Sequence, residues 1–495
     1  MNIGSSPYRL SKAPRQAPRP ELKLEYPSEE VEPARNGRPV VLLHGTIVEK
    51  DGIEEFRKFA LSQGHPVNHR SYPTITKGGL IEESTEIASR EVNKSRAEVA
   101  RGRIEALKER TPQALTEFFQ IDAELYGERD PDAEKILPHL PGLVAQVESV
   151  VTGPQAQIES RLGRSLKAIE ADLVEGLKKD GLTEQKAAAI AEELLDTVAP
   201  KAIVIGHSAG GFVAQTLAVN PETQDGDDPF AYDGGNGVGE VVLLSSPVGK
   251  GLPQPAPTGI LELPFYNYDR TVLQPAEKNP LVTLARLNPL TNLAYTSSKS
   301  LLKTLFYVGT QVSTTMTSPM VHLAKPGYAQ VEESHEFFNQ YVKDREIPEG
   351  LTVISVTSPL DKLVQEERSR LSDEMENGHN YSFDLDVTEE QVKKERPTWT
   401  HVIMTEQPEH LKKEYSEDIL AQPKALMKLL NPKNDEGVRV KALDILWAGL
   451  ETSPDYLKAH PEVKDVLEKV AAERLPFEDS ASYKAYSLLA MSSNL

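Results

Sequence analysis

Cysteine is absent from the 495 residues. That excludes disulfide staples, a thiolate nucleophile and thiolate metal centres. Long apolar runs are missing as well. The most apolar candidate, Leu301 to Ala324, is broken by Lys303, a run of Ser and Thr, and Pro319. A spanning helix needs about 20 mostly apolar residues, so no transmembrane segment is expected. The opening stretch, MNIGSSPYRLSKAPRQAPRPELKL, lacks the apolar centre of a secretory leader, which makes the cytoplasm the default expectation. Positive charge is in deficit: 55 Lys and Arg face 75 Asp and Glu, a net charge of -20. Such a field repels phosphate backbones, so nucleic acid is not an expected partner.

What is there reads as an α/β chain with additions. Residues 1–36 are rich in Pro, Arg, Ser and Glu and form a tail. PVVLLHG at Pro39–Gly45 is a short β-branched run stopped by Gly, the pattern of a buried strand. A helix is expected over Ile53–Gln63 and a second strand over Val67–Tyr72. From Gly78 to Pro200 charge is dense and apolar residues recur at helical spacing (Ile158, Leu162, Leu166, Ile169, Leu173, Leu177). The expectation is a helical insertion over 78–199, broken centrally at Gly127–Pro141. Further strands are expected at Lys201–Ile205, Glu240–Ser246, around Val353–Thr357 and at Tyr381–Val387. Lys362–Glu376 reads as a helix, and a last core helix falls within His410–Leu430. The core is thus expected in three pieces, 37–77, 200–250 and 350–430.

Beyond the core lie a Pro-rich then helical segment, 251–349, and an all-helical stretch, 431–495. In the latter, VRVKALDIL at Val438 and SYKAYSLLA at Ser482 resemble each other at an offset of roughly 43 residues, near the period of HEAT-like repeats. Two unrelated amphipathic helices explain the pair equally well.

Gly206-His207-Ser208-Ala209-Gly210 stands between an apolar strand and the helical run Gly211–Val219. A serine on such a strand-to-helix turn is held in a strained conformation, and the flanking glycines let strand and helix pass closely. The helix N-terminus directs free N–H groups at a developing negative charge. The plain alternative is a serine that only caps the helix. A nucleophilic serine needs a base and an oxyanion site. Gly45 and Thr46 follow the first strand, so the N–H groups of Thr46 and Ala209 are the expected oxyanion donors. Asp361 follows the strand around Val353–Thr357 and suits an orienting acid, although its position also suits a helix N-cap. His401 lies between the last strand and the last helix and is the expected base. His410 is the second candidate, and His379 precedes the last strand.

The order strand–His-Gly, Gly-x-Ser-x-Gly, Asp, His resembles the α/β-hydrolase superfamily. VVLLHGT, VIGHSAGG and SPLDKLV are similar to segments of bacterial lipases and carboxylesterases. The resemblance covers about 37–77, 200–250 and 350–430. It implies an α/β-hydrolase core, Ser208 as nucleophile, His401 as base, Asp361 as orienter, Thr46 and Ala209 as oxyanion donors, and hydrolysis of a small-molecule or lipid carboxylic ester without a cofactor. The same triad also serves thioesterases and acyltransferases, and an inactive core would leave an interaction scaffold. The chain departs from the family in its insertion of more than a hundred residues before the nucleophile strand and in its C-terminal helices. Either helical segment could bind a protein partner. Segment 251–349 is expected to form a lid over Ser208, with Leu287, Leu290, Leu301, Leu305 and Phe306 either lining an acyl pocket or forming the lid's own core. The loop Asp225–Gly239 carries several acidic residues but fails the calcium-loop spacing and reads as a solvated turn. No metal is expected.

Overall fold

Short β-branched runs stopped by Gly or Ser pair into one sheet. The computed structural model describes residues 37–45, 53–69, 80–108, 110–121, 132–222, 230–251, 330, 335–343, 345–361, 363–372, 375–394, 397–477 and 480–494. Six strands occur among them: β1 (Val40–Leu43), β2 (Val67–Asn68), β3 (Ala202–His207), β4 (Val238–Leu244), β5 (Thr352–Thr357) and β6 (Gly378–Ser382). All neighbours are parallel, in the order β2-β1-β3-β4-β5-β6. β3 and β5 are buried along their whole length, as a parallel sheet covered on both faces requires.

The period of two along each strand divides the core. Val40 and Leu42 join Ile203, Ile205, Ile354 and Val356 on one face, against Phe56 of α1 (Glu54–Ser62) and Met404. Val41 and Leu43 join Val204, Leu243 and Val353 on the other. There they meet Ile81, Ala88 and Val92 of α2 (Ile81–Leu107). Each such aliphatic side chain contributes about 1.5–3 kcal/mol on burial.

A second core lies among the far end of α2, α3 (Leu140–Val151), α4 (Gln155–Lys179) and α5 (Glu184–Val198). All six apolar positions expected on one stripe of α4, from Ile158 to Leu177, are buried. The expected break ends at Leu140. Pro141 sits in the first turn of α3, where its missing N–H costs nothing. Between β3 and β4 runs α6 (Ala209–Val219), and α7 (Pro397–Ile403) follows β6. A third core joins α8 (Pro408–Ala421), α9 (Pro423–Leu429), α10 (Glu436–Thr452), α11 (Pro461–Ala471) and α12 (Ala481–Asn494). It is tied to the start of β1 by the part-buried pair Arg38–Asp435 at 2.6 Å. Among the described residues, no helix is long and apolar enough to cross a membrane.

Several element bounds differ from the sequence expectation. The fourth strand ends at Leu244, because Ser245 takes φ 44° and leaves the extended region. The last strand starts at Gly378, three residues before the apolar alternation, because its pairing with Val353 is made by backbone alone. Within 362–376 only Glu366–Ser369 is helical among the described residues. Asp361 captures the amides of Leu363 and Val364, and Asn380 holds Leu371 through both its amide and its carbonyl.

Candidate active site

The strand register brings one set of chain ends together. Leu43 pairs with Gly206, His207 with Leu244, Leu244 with Val356, and Thr357 with Ser382. The residues after these positions, His44-Gly45, Ser208, Ser245 and Ser358–Asp361, therefore leave the sheet at the same edge. β1 leads to β2 on one side and β3 leads to β4 on the other. Between β1 and β3 is the point where chain direction across the sheet reverses, and a crevice forms there in open parallel sheets.

Ser208 occupies that point. Its backbone lies at φ 55°, ψ -122°, a strained conformation for a residue with a Cβ. Three contacts hold it. The Ser208 N–H donates to the carbonyl of Leu244 at 2.9 Å, and the Gly211 N–H donates to the carbonyl of Ser208 at 3.0 Å. The third is steric: a Cβ on Gly45 would stand 2.9 Å from the Ser208 Cβ, so the β1 turn closes over the serine only as glycine. A Cβ on Gly206 would stand 2.5 Å from the carbonyl oxygen of Gly210, and one on Gly210 would stand 2.7 Å from that of His44, which explains the glycines on both sides of the turn. Ala209 begins α6, and the N–H groups of a first helical turn have no partner within the helix.

Asp361 and His401 meet beside this turn. The Nδ1 of His401 lies 2.7 Å from Oδ2 of Asp361, and both side chains are fully buried. Oδ1 of Asp361 accepts from the amides of Leu363 and Val364 at 2.9 and 3.0 Å. Burial pushes the Asp361 carboxyl up, but His401, the Ser245 hydroxyl and the Val364 amide outweigh it and hold the group below the usual carboxylate range. An ionised acceptor at Nδ1 places the imidazole proton there and leaves Nε2 as the basic nitrogen. Nε2 is buried and meets no hydrogen-bond partner among the described residues, so Ser208 and His401 are not bonded in this conformation.

His401 sits on α7 rather than in a loop. The segment after β6 also carries the short helix Glu389–Lys394, which takes up the length between strand and base. His410 is elsewhere: it lies on α8, part exposed, with Nε2 3.2 Å from the Asp384 carbonyl. His379 lies within β6 and is buried. His44 is buried, with Nδ1 2.9 Å from the Gly45 carbonyl oxygen. Thr46 and the expected pocket residues Leu287, Leu290, Leu301, Leu305 and Phe306 lie outside the described residues, as do Asp225, Asp227 and Asp228.

Asp233 corrects the reading of its loop as a solvated turn. It is buried and accepts from the amides of Gly163 and Arg164 and from the Asn93 side chain at 2.8–2.9 Å, clamping α2 and α4 together. No cluster of His, Asp or Glu among the described residues could hold a metal ion.

Two site residues went unrecognised in the sequence. Ser245 has φ 44° at the end of β4, and its hydroxyl, 3.4 Å from Met404 Sδ, helps hold the Asp361 carboxyl low. Nothing in its local sequence marks that conformation. His207 packs on His401, with ring centroids 4.6 Å apart. Its signal was available, since a polar ring immediately before the strained serine must point into the crevice wall.

Compared with known protein families and with curated proteins, the chain matches no family model and no individual sequence.

Proposed function

We propose that the chain is a serine hydrolase of the α/β-hydrolase type and that it cleaves carboxylic esters through an acyl-enzyme. One observation carries the reading: the buried Asp361–His401 pair, whose Nε2 meets no partner among the described residues, stands at the same sheet edge as the strained Ser208. The parallel order β2-β1-β3-β4-β5-β6, with serine after β3, acid after β5 and histidine after β6, supports it. A helix cap alone would not need Ser208 at positive φ.

In the proposed cycle Ser208 Oγ attacks the ester carbonyl carbon while His401 Nε2 takes the hydroxyl proton. The Ala209 N–H, with that of Thr46 as the expected second donor, stabilises the oxyanion; one such donor is worth about 10²–10³ in rate. Collapse breaks the ester C–O bond, and His401 returns the proton to the departing alcohol. Water then attacks the acyl-enzyme, giving its proton to His401, and Ser208 leaves with that proton.

The test is hydrolysis of p-nitrophenyl esters from acetyl to palmitoyl by the wild type and by Ser208→Ala, with fluorophosphonate labelling in parallel. Activity and labelling that both vanish in the variant support the reading. Labelling of Ser208 without ester cleavage would redirect it to thioesters or acyl transfer. Failure to label would leave an interaction scaffold.

A further inference from the structure

His207 is a buried titratable group that the proposed cycle does not use, and it immediately precedes Ser208 in the chain. Its side chain is 2% exposed. Its Nε2 lies 3.0 Å from the main-chain carbonyl oxygen of His401. The two rings are tilted by 41° with centroids 4.6 Å apart. The opposite nitrogen faces the β1 turn, where a Cβ on Gly45 would stand 3.3 Å from Nδ1. One ring therefore touches the turn over the serine and the helix that carries the base, and its own backbone leads directly into Ser208.

The bond to His401 has a specific physical reason. His401 stands in the last turn of α7, where carbonyls run out of intrahelical donors. His401 is completely buried, so water does not serve its carbonyl, and an unmet buried acceptor is costly. Burial pushes the His207 imidazole down to about 3, with His401 adding to the effect. The ring is thus neutral at working pH, and because its neighbour at Nε2 is a carbonyl, Nε2 carries the proton and donates.

We infer that His207 is a positioning residue: an Nε2–H donor that anchors the backbone of His401 and so holds its imidazole against Asp361. This inference rests on the serine hydrolase reading for its kinetic consequence, though not for its structural one. A neighbour that merely filled space would be replaceable by any ring of similar size. A donor is replaceable by a side chain that puts an N–H in the same place. His207→Phe keeps the ring and removes the donor, whereas His207→Gln removes the ring and keeps an Nε2–H donor.

The experiment measures ester kinetics and the imidazole proton spectrum of the full chain as wild type, His207→Phe and His207→Gln, with Asp361→Asn to assign the signal. A proton shared between His401 Nδ1 and an ionised carboxylate at 2.7 Å is strongly deshielded and protected from exchange. The expected result is that His207→Phe loses this resonance and lowers kcat by roughly 10–100-fold with KM little changed, the scale of a misplaced catalytic group. His207→Gln keeps the resonance and recovers most of kcat.

Retention of both resonance and kcat in His207→Phe would reduce His207 to packing. Absence of the resonance in the wild type would also overturn the inference, because no held imidazole would exist. If the resonance behaves as expected but Ser208 of the wild type resists fluorophosphonate, the positioning role stands and the hydrolase reading falls.

Discussion

Replacing Asp361 by Asn removes a charge and changes almost no volume. In the wild type Oδ1 accepts two amides, from Leu363 and Val364, and Oδ2 faces Nδ1 of His401 at 2.7 Å. In Asp361→Asn the two amides still require an oxygen, so the side-chain oxygen stays at the Oδ1 position. The new NH2 group then faces Nδ1 of His401. Two N–H donors cannot face each other, so Nδ1 becomes the acceptor and the ring proton moves to Nε2. The base loses the lone pair that Ser208 needs. A wrong tautomer in an otherwise intact triad costs about 10⁴ in kcat, which is roughly 5 kcal/mol of barrier. Folding stability changes by much less, about 2 kcal/mol, since one charge-assisted bond is exchanged for a neutral one. The assay is steady-state hydrolysis of a p-nitrophenyl ester, with a urea unfolding curve to show that the variant is folded. A folded Asp361→Asn that keeps more than about a tenth of wild-type kcat would refute the reasoning, because the carboxylate would not be setting the tautomer.

Three further outcomes are expected. Gly210→Ala should fail to fold or lose several kcal/mol in urea melts, roughly the scale of severe overpacking, because the added Cβ would run into the backbone carbonyls of Leu43 and His44. Breaking the part-buried Arg38–Asp435 pair by Asp435→Ala should cost about 3–5 kcal/mol, and adding Arg38→Met should restore part of it, since a lone buried charge is worse than none. Stability should also depend on His207 in acid. Its folded pKa is depressed to about 3 from an ordinary 6.5, so its contribution is complete above pH 6.5 and is lost as pH falls from there toward 3. Each pH unit in that window costs about 1.4 kcal/mol, and His207→Gln should show a correspondingly flatter decline in urea midpoint between pH 7 and 5.

The parts of this molecule that were legible in the sequence are those enforced locally. A fully buried parallel strand must be a short apolar run, so β1, β3 and β5 stand out. A strained turn between strand and helix needs glycines on both sides of Ser208. A helix that covers a core must repeat its apolar side chains, as α4 does from Ile158 to Leu177. What was not legible depends on partners distant in the chain. The start of β6 is set by backbone pairing with Val353, not by its own side chains. Asp233 looks like any polar loop residue until α2 and α4 supply Asn93, Gly163 and Arg164. Ser245 bends where Val356 takes its N–H and Met404 Sδ its hydroxyl. Asp361 and His401 are separated by 40 positions, and only the sheet order explains why they meet.

The same sheet order explains how the chain carries more than a hundred residues between β2 and β3 without disturbing the site. A parallel crossover needs one helix on the sheet, and the first half of α2 provides it: Ile81, Ala88 and Val92 pack into the sheet core. The second half of that 27-residue helix places Ala97, Ala100 and Ile104 in the separate core shared with α3, α4 and α5. One rigid helix thus serves two cores in succession. Arg96 of α2 ties the added helices to the amino end of β3, donating to the carbonyls of Ala199 and Pro200 at 2.9 and 3.1 Å. Ser208 lies at the opposite end of β3, six buried residues away. An insertion anchored at that amino end can grow or acquire a binding partner while the carboxyl end, where the register aligns serine, acid and histidine, keeps its geometry.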